Sequence, residues 1–270
     1  MVGRAPVAIA LLALGLAAPV PDALALPVGD QQQEAALRAT DRGRLTARPH
    51  PGRKAPAPAG LQPLGLGAAR DGLIYVPASY RPERPAPLLV MLHGRSADAR
   101  AVLPSLIPLA DQNGLILLGP DSRGVTWDLV GADYGPDTRF IDRALASVFE
   151  RYAIDGTRLA LAGFSDGGSY ALSLGLTNGD LFQDVIAFSP GFMAPARRRD
   201  APRVFVSHGT ADTALPIEQT SRQIVPRLRR DGYAASYREF PGGHSIPPAI
   251  AREAVERFLS PRPVRPDFGG

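Results

Sequence analysis

From about residue 64 onward, apolar runs alternate along the chain with stretches of helical periodicity. Seven runs read as strands, at 73–76, 88–92, 115–118, 159–161, 185–188, 204–206 and 236–240. Most are continuous rather than alternating, as in Leu88-Leu89-Val90-Met91-Leu92, which suits strands covered on both faces. Helical patterns fall at 99–113, 137–151, 168–177, 217–231 and 248–259. In the second, Phe140, Ile141, Ala144, Leu145 and Val148 make one apolar face, and Asp137 and Thr138 are placed to cap its start. Strands and helices in alternation predict an α/β fold, a mostly parallel central sheet with helices on both faces. The intervals between strands leave no room for a large cap domain.

Residues 26–65 break this pattern. Pro, Ala and charge dominate around Arg48-Pro49-His50-Pro51-Gly52-Arg53-Lys54-Ala55-Pro56, which predicts a flexible tail with a short helix at 31–38. Ahead of it, Arg4 precedes an apolar run from Val7 to Ala18, and Ala23-Leu24-Ala25 fits a small-x-small cleavage site. This predicts a signal peptide over 1–25 and export to the periplasm or beyond, with an uncleaved anchor as the alternative. The apolar run is short for a membrane span, so no stable membrane insertion is expected after cleavage. The expected division is a signal peptide (1–25), a tail (26–65), one domain (66–262) and a C-terminal tail (263–270).

Composition narrows the chemistry. A chain of 270 residues, 45% hydrophobic, can bury one sizeable core. The net charge is +4, with arginines dispersed apart from Arg197-Arg198-Arg199, so no nucleic-acid partner is expected. Cysteine is absent, which excludes disulfides, thiolate nucleophiles and thiolate metal sites. Oligomeric state is not legible.

One motif carries chemistry. Gly163-Phe164-Ser165-Asp166-Gly167 follows the apolar run 158–162 and precedes the helical pattern that begins at Gly168. A sharp strand-to-helix turn of this kind lifts a serine hydroxyl above the sheet edge, at a helix start that favours negative charge. Serine is a weak nucleophile and needs an imidazole base oriented by a carboxylate. The chain has four histidines: His50 in the tail, His93 and His208 at strand ends, and His244 on a loop between the last strand and last helix.

Together with Leu92-His93-Gly94, His208-Gly209-Thr210-Ala211-Asp212 and Gly243-His244-Ser245-Ile246-Pro247, the motif makes the chain resemble the α/β-hydrolase superfamily over about 66–260. Within it, the chain is most similar to esterases of the phospholipase/carboxylesterase group, related to polyhydroxybutyrate depolymerases and feruloyl esterases. The resemblance implies the order nucleophile, acid, base. That order sets His50 and His93 aside, and His208 reads as a packed strand-end residue. His244 is the expected base and Asp212 the expected acid, ahead of Asp200, Glu218, Asp231 and Glu239. The expected oxyanion donors are the backbone N–H groups of Asp166 and Arg95, with Ser96 second to Arg95. His93, Gly94, Trp127 and Phe192 are the expected pocket residues around a shallow site.

The implied activity is hydrolysis of carboxylic esters through an acyl-Ser165 intermediate, with a small-molecule ester as partner and neither metal nor cofactor. Thioesterase-like relatives usually carry Gln where this chain has Asp166, and Leu-Gly where it has Arg95-Ser96, so a thioester substrate does not carry over. A serine peptidase of the same fold and a non-catalytic binding protein are the rival readings.

Overall fold

The computed structural model of the chain describes residues 42–50, 58–131 and 133–262. The expected signal peptide, the short helix at 31–38 and the C-terminal tail lie outside the described residues. Eight strands form one sheet: β1 (Gly60–Pro63), β2 (Gly72–Val76), β3 (Ala86–Leu92), β4 (Ile116–Pro120), β5 (Ile154–Phe164), β6 (Asp184–Phe188), β7 (Arg203–Gly209) and β8 (Ala235–Phe240). Their order across the sheet is β1-β2-β4-β3-β5-β6-β7-β8. The β1–β2 and β2–β4 pairs are antiparallel, and the rest are parallel.

The seven expected strands are present, and β1 is additional. Its one large apolar side chain, Leu61, is 44% exposed, so the segment carries no buried run to read. Its Pro63 sits where a missing N–H is tolerated, at the end of an edge strand.

Successive side chains of the inner strands serve two cores. Leu88, Val90 and Leu92 of β3 join Ile116 and Leu118 of β4, Leu159 and Leu161 of β5 and the apolar face of α3 (Pro136–Arg151). Leu89 and Met91 point the other way, towards α1 (Ala99–Val102), α2 (Ile107–Asn113) and α6 (Pro248–Leu259). On the α3 side, α4 (Asp166–Thr177) and α5 (Ser221–Arg230) complete the layer, with Leu172 and Leu176 packed near Ile224, Val225 and Leu228. Burying such a side chain contributes roughly 1.5–3 kcal/mol, so a sheet covered on both faces supplies most of the driving force.

Two expected helices are broken. Between α1 and α2 a 3-10 turn begins at Pro104, because proline has no N–H for the helical ladder. Ile217–Gln219 is a separate 3-10 turn, divided from α5 by Thr220 at φ −126°, ψ −99°.

The start of α3 is capped from a distance. Asp137 and Thr138 do not cap it: Asp128 Oδ2 accepts from the N–H groups of Gly135 (3.0 Å) and Asp137 (2.8 Å). The Asp137 carboxylate turns back to the N–H groups of Arg123 and Asp128. Thr138 Oγ1 instead meets the Tyr170 hydroxyl at 2.9 Å.

Part of the stretch expected as a flexible tail is docked. Leu45 and Leu64 are each 1% exposed. Asn178, fully buried, accepts from Leu45 N–H and donates to Gly43 O. Asp142 accepts from the backbone N–H groups of Thr46 and Ala47, and Arg44 pairs with Asp180 at 2.7 Å. These partners lie some 95 to 136 residues away in sequence, beyond the reach of any local pattern.

Asp137 is 2% exposed, and burial, with the nearby Asp128 charge, pushes its carboxyl from 3.8 up to about 6. Between those values the folded chain holds a proton that the unfolded chain has released. This group's contribution to stability therefore falls as pH rises from about 4 to about 6. A carbon-detected NMR titration of the aspartate carboxyls is expected to show one midpoint near 6; midpoints all below about 4.5 would refute it.

Candidate active site

Ser165 is the single residue between β5 and α4, and its backbone is held at φ 58°, ψ −122°. A non-glycine residue there stores strain on the order of 1–3 kcal/mol, which persists only where surroundings impose it. They do so through glycine contacts. A Cβ on Gly163 would lie 2.0 Å from Gly167 O, and one on Gly167 would lie 2.4 Å from both Leu92 O and His93 O. Ser165 N–H donates to Phe188 O of β6 at 2.9 Å, so the turn is wedged between the ends of β3 and β6.

The two residues expected to serve this serine are joined. His244 Nδ1 lies 2.7 Å from Asp212 Oδ2. The His244 ring packs tilted against that of Phe164, which precedes Ser165, with centroids 4.6 Å apart, so the imidazole stands beside the turn. Asp212 is almost fully buried, and its Oδ1 accepts from Ala214 and Leu215 N–H, both at 2.9 Å. Burial opposes ionisation of Asp212, but the Leu215 N–H and the two neighbouring imidazoles outweigh it and hold the carboxyl below its ordinary value.

The second imidazole belongs to His208, whose part at the site was not read from sequence. It is fully buried at the end of β7, with Nε2 2.8 Å from Leu215 O and 3.1 Å from Asp212 Oδ2. A carbonyl only accepts, so Nε2 carries the proton and Nδ1 accepts from the Ser221 hydroxyl at 2.7 Å. Burial lowers the His208 pKa, which keeps the ring neutral.

Residues 93–96 pass directly over the turn. Gly94 lies against Ser165, since a Cβ there would be 3.3 Å from Ser165 Cβ. Ser96 N–H is donated to Val125 O at 2.7 Å, whereas Arg95 N–H has no acceptor among the described residues. The side chains of Arg95 and Asp166 also meet, with Arg95 Nε 3.0 Å from Asp166 Oδ2.

Two of the four expected pocket residues prove to be supports. His93 is fully buried and neutral: burial lowers its pKa, Nε2 accepts from Ser122 N–H at 2.9 Å, and Nδ1 faces Gly94 O at 2.7 Å. Trp127 has no exposed surface either. It stacks on Tyr170 at 5.2 Å, packs against His93, and donates its indole N–H to His93 O. Neither residue presents a face to a ligand. Phe192 is half-buried on the loop after β6, held by a ladder of hydroxyls on α4. There Ser169 accepts from Gly191 and Phe192 N–H, Ser173 from Ala194 N–H and Thr177 from Ala196 N–H.

Among the described residues no cluster of three or more His, Asp or Glu is arranged to hold a metal, and no helix is long and apolar enough to cross a membrane. A cavity of about 770 Å³, lined by Pro49, His50, Glu83, Arg84, Asp155 and Arg158, opens at the other end of β3 and β5, away from Ser165.

The open, mostly parallel sheet with a nucleophile elbow at the end of β5 defines an α/β-hydrolase fold. Solved structures agree. The ferulic acid esterase AmCE1/Fae1A of Anaeromyces mucronatus aligns at TM-score 0.56 and 18% identity, covering 79% of this chain and 97% of its own. Esterase PE8 aligns at TM-score 0.57 and 23% identity, over 69% of this chain and 96% of that one. Residues 65–248 match the esterase family, described as "putative esterase", and the chain belongs to that family. A bifunctional acetylxylan esterase/xylanase of Neocallimastix patriciarum is 29% identical over 182 residues, 64% of this chain and 24% of the relative. A probable feruloyl esterase C of Aspergillus oryzae is 26% identical over 157 residues, 55% of this chain and 57% of the relative. The chain therefore spans only part of the length of these curated relatives.

Gly167→Ala places a methyl group against two backbone carbonyls that no rotamer change can relieve. It is expected to cost about 3 kcal/mol or more, roughly 6–12 °C in Tm. Gly131→Ala, with nothing within 4 Å, is the control. Equal melting temperatures for the two variants in a thermal scan would contradict the wedge.

Proposed function

We propose that the chain is a serine esterase that hydrolyses carboxylic esters through an acyl-Ser165 intermediate. The observation that carries this reading is the His244–Asp212 hydrogen bond of 2.7 Å beside a strained serine turn. Asp212 accepts the Nδ1 proton of His244, which leaves Nε2 free to take a proton. In the first step Nε2 removes the Ser165 hydroxyl proton as the oxygen attacks the ester carbonyl. Negative charge develops on the carbonyl oxygen, and the backbone N–H groups of Asp166 and Arg95 donate to it. Collapse of that intermediate expels the alcohol, which takes its proton from His244. Water then attacks the acyl-serine by the same steps in reverse roles and releases the acid. No step calls for a metal or cofactor.

The substrates proposed are esters of small or medium acyl groups. Acetyl and feruloyl esters are the first to try, since the names of two relatives carry them. Among the described residues, the loops after β4 and β6 (121–135 and 189–202) contain a single 3-10 turn and no further helix, which supports an open site. Ser165→Ala, Asp212→Asn and His244→Ala are each expected to lower kcat for 4-nitrophenyl acetate about 10³-fold or more, with little change in KM. A fluorophosphonate probe should label the parent chain and not Ser165→Ala. Labelling of both, or faster turnover of long-chain than of short-chain esters, would count against the reading.

We also propose that the chain is exported, with residues 1–25 removed. Fractionation of cells expressing the full chain is expected to recover the protein outside the cytoplasm, with Leu26 as its first residue by N-terminal sequencing. A chain retained in the cytoplasm with Met1 or Val2 at its start would exclude this.

A further inference from the structure

The side chain of Asp166 has no part in the proposed chemistry, yet it is 15% exposed and holds two contacts through one oxygen. Its Oδ2 accepts from Thr126 Oγ1 at 2.7 Å and lies 3.0 Å from Arg95 Nε. Arg95 and Asp166 are the two residues whose backbone N–H groups are the proposed oxyanion donors, and they lie on different segments, the loop after β3 and the first turn of α4. Thr126 belongs to a third, the loop after β4. That loop is itself tied to residues 93–96 by Ser96 N–H to Val125 O, Trp127 Nε1–H to His93 O, and Ser122 N–H to His93 Nε2.

We propose that the Asp166 carboxylate, with Arg95 and Thr126, is a positioning clasp that fixes the distance between the two oxyanion donors. The proposal rests on the Ser165 esterase reading above and deepens it. The physical case lies in what else could hold Arg95 in place. Its neighbours are fixed by other bonds, but Arg95 N–H must stay free of an internal acceptor if it is to meet the developing charge. Its backbone is therefore tethered through its own side chain. An ion pair with one partner 58% exposed adds little to global stability, so the clasp should register in turnover rather than in melting. Deleting a whole oxyanion donor costs about 10²–10³ in kcat, and loosening one should cost less.

The test uses 4-nitrophenyl acetate kinetics, the affinity of phenylboronic acid as a tetrahedral mimic, and fluorophosphonate labelling of Ser165, on the full chain. Asp166→Asn and Arg95→Ala are each expected to lower kcat about 5–20-fold, with KM within about 2-fold, and to weaken phenylboronic acid by the same factor. Thr126→Val should lose less, and Arg95→Lys should recover part of the loss of Arg95→Ala. The Asp166→Asn/Arg95→Ala double variant should be no slower than the slower single, since both changes open one clasp. Melting temperatures should agree within about 3 °C. Multiplying losses in the double variant, wild-type kinetics in either single, or losses confined to KM would overturn the clasp while leaving labelling and the esterase reading intact. A parent chain that is neither labelled nor active would overturn the esterase reading, and the clasp with it.

Discussion

The structure turns on a backbone contact. Residues 163–168 cross the ends of β3 and β6 so closely that a single methyl group at Gly163 or Gly167 would overlap a carbonyl. Three requirements meet there. β5 must run at the centre of the sheet, so that β3 and β6 flank its end. α4 must leave at once, which fixes Ser165 at positive φ and lifts its side chain clear of the sheet. Finally, α4 must be buried, since a helix launched from the centre of the sheet cannot reach solvent quickly. The last requirement explains the composition of α4. Its polar residues Ser169, Ser173 and Thr177 each donate to the carbonyl four residues back and accept from the loop that carries Phe192. Buried hydroxyls thus satisfy themselves and fasten the loop after β6 with the same oxygens.

A second consequence follows for the loop after β4. Among its described residues it carries one 3-10 turn (Asp128–Val130) and no strand, so most of its backbone groups need partners from side chains. Asp137 and Asp128 supply them: between them they accept from the backbone N–H groups of Arg123, Asp128, Gly135 and Asp137. Tyr170, on α4 itself, donates to Asp128 at 2.9 Å. Burying the Asp137 carboxyl beside Asp128 costs free energy, and its raised pKa is a measure of it. The bonds these carboxylates accept anchor the loop, which in turn holds residues 93–96 through Ser122, Val125 and Trp127.

Much of this was legible in the sequence. Continuous apolar runs gave up the six inner strands, β2 to β7, because burial on both faces leaves no alternation to mistake. The glycine pair around Ser165 and the loop position of His244 marked the candidate site because they reflect local needs, a crowded turn and a loop at the C-terminal edge of the sheet. The rest was hidden where the determining partner is distant. β1 has no apolar run, and residues 42–50 have the composition of a linker. Their docking depends on Asn178, Asp142 and Asp180, which no local window contains. Trp127 read as a pocket wall because a lone tryptophan near a site invites that reading. Only the packed ring of Tyr170 and the carbonyl of His93 reveal it as a post beneath the site. His208 read correctly as packed, but its bond to Asp212 was out of reach.

That bond bears on how the proposed acid can act at all. Asp212 is surrounded only by donors: two backbone N–H groups on Oδ1, and two imidazole N–H groups on Oδ2. A carboxyl in that setting has no acceptor to receive a proton of its own, so it stays ionised despite its burial. If His208 were charged, it would compete with His244 for the charge of that carboxylate, which the proposed role of His244 as base requires. Burial prevents this by keeping His208 neutral, and the Ser221 hydroxyl and Leu215 carbonyl fix which nitrogen bears its hydrogen. A neutral donor is the arrangement that orients the carboxylate without consuming its charge. The two histidines that follow Ser165 are therefore not interchangeable: one stands partly exposed beside the serine turn, and the other is fully buried with its carbonyl and hydroxyl partners.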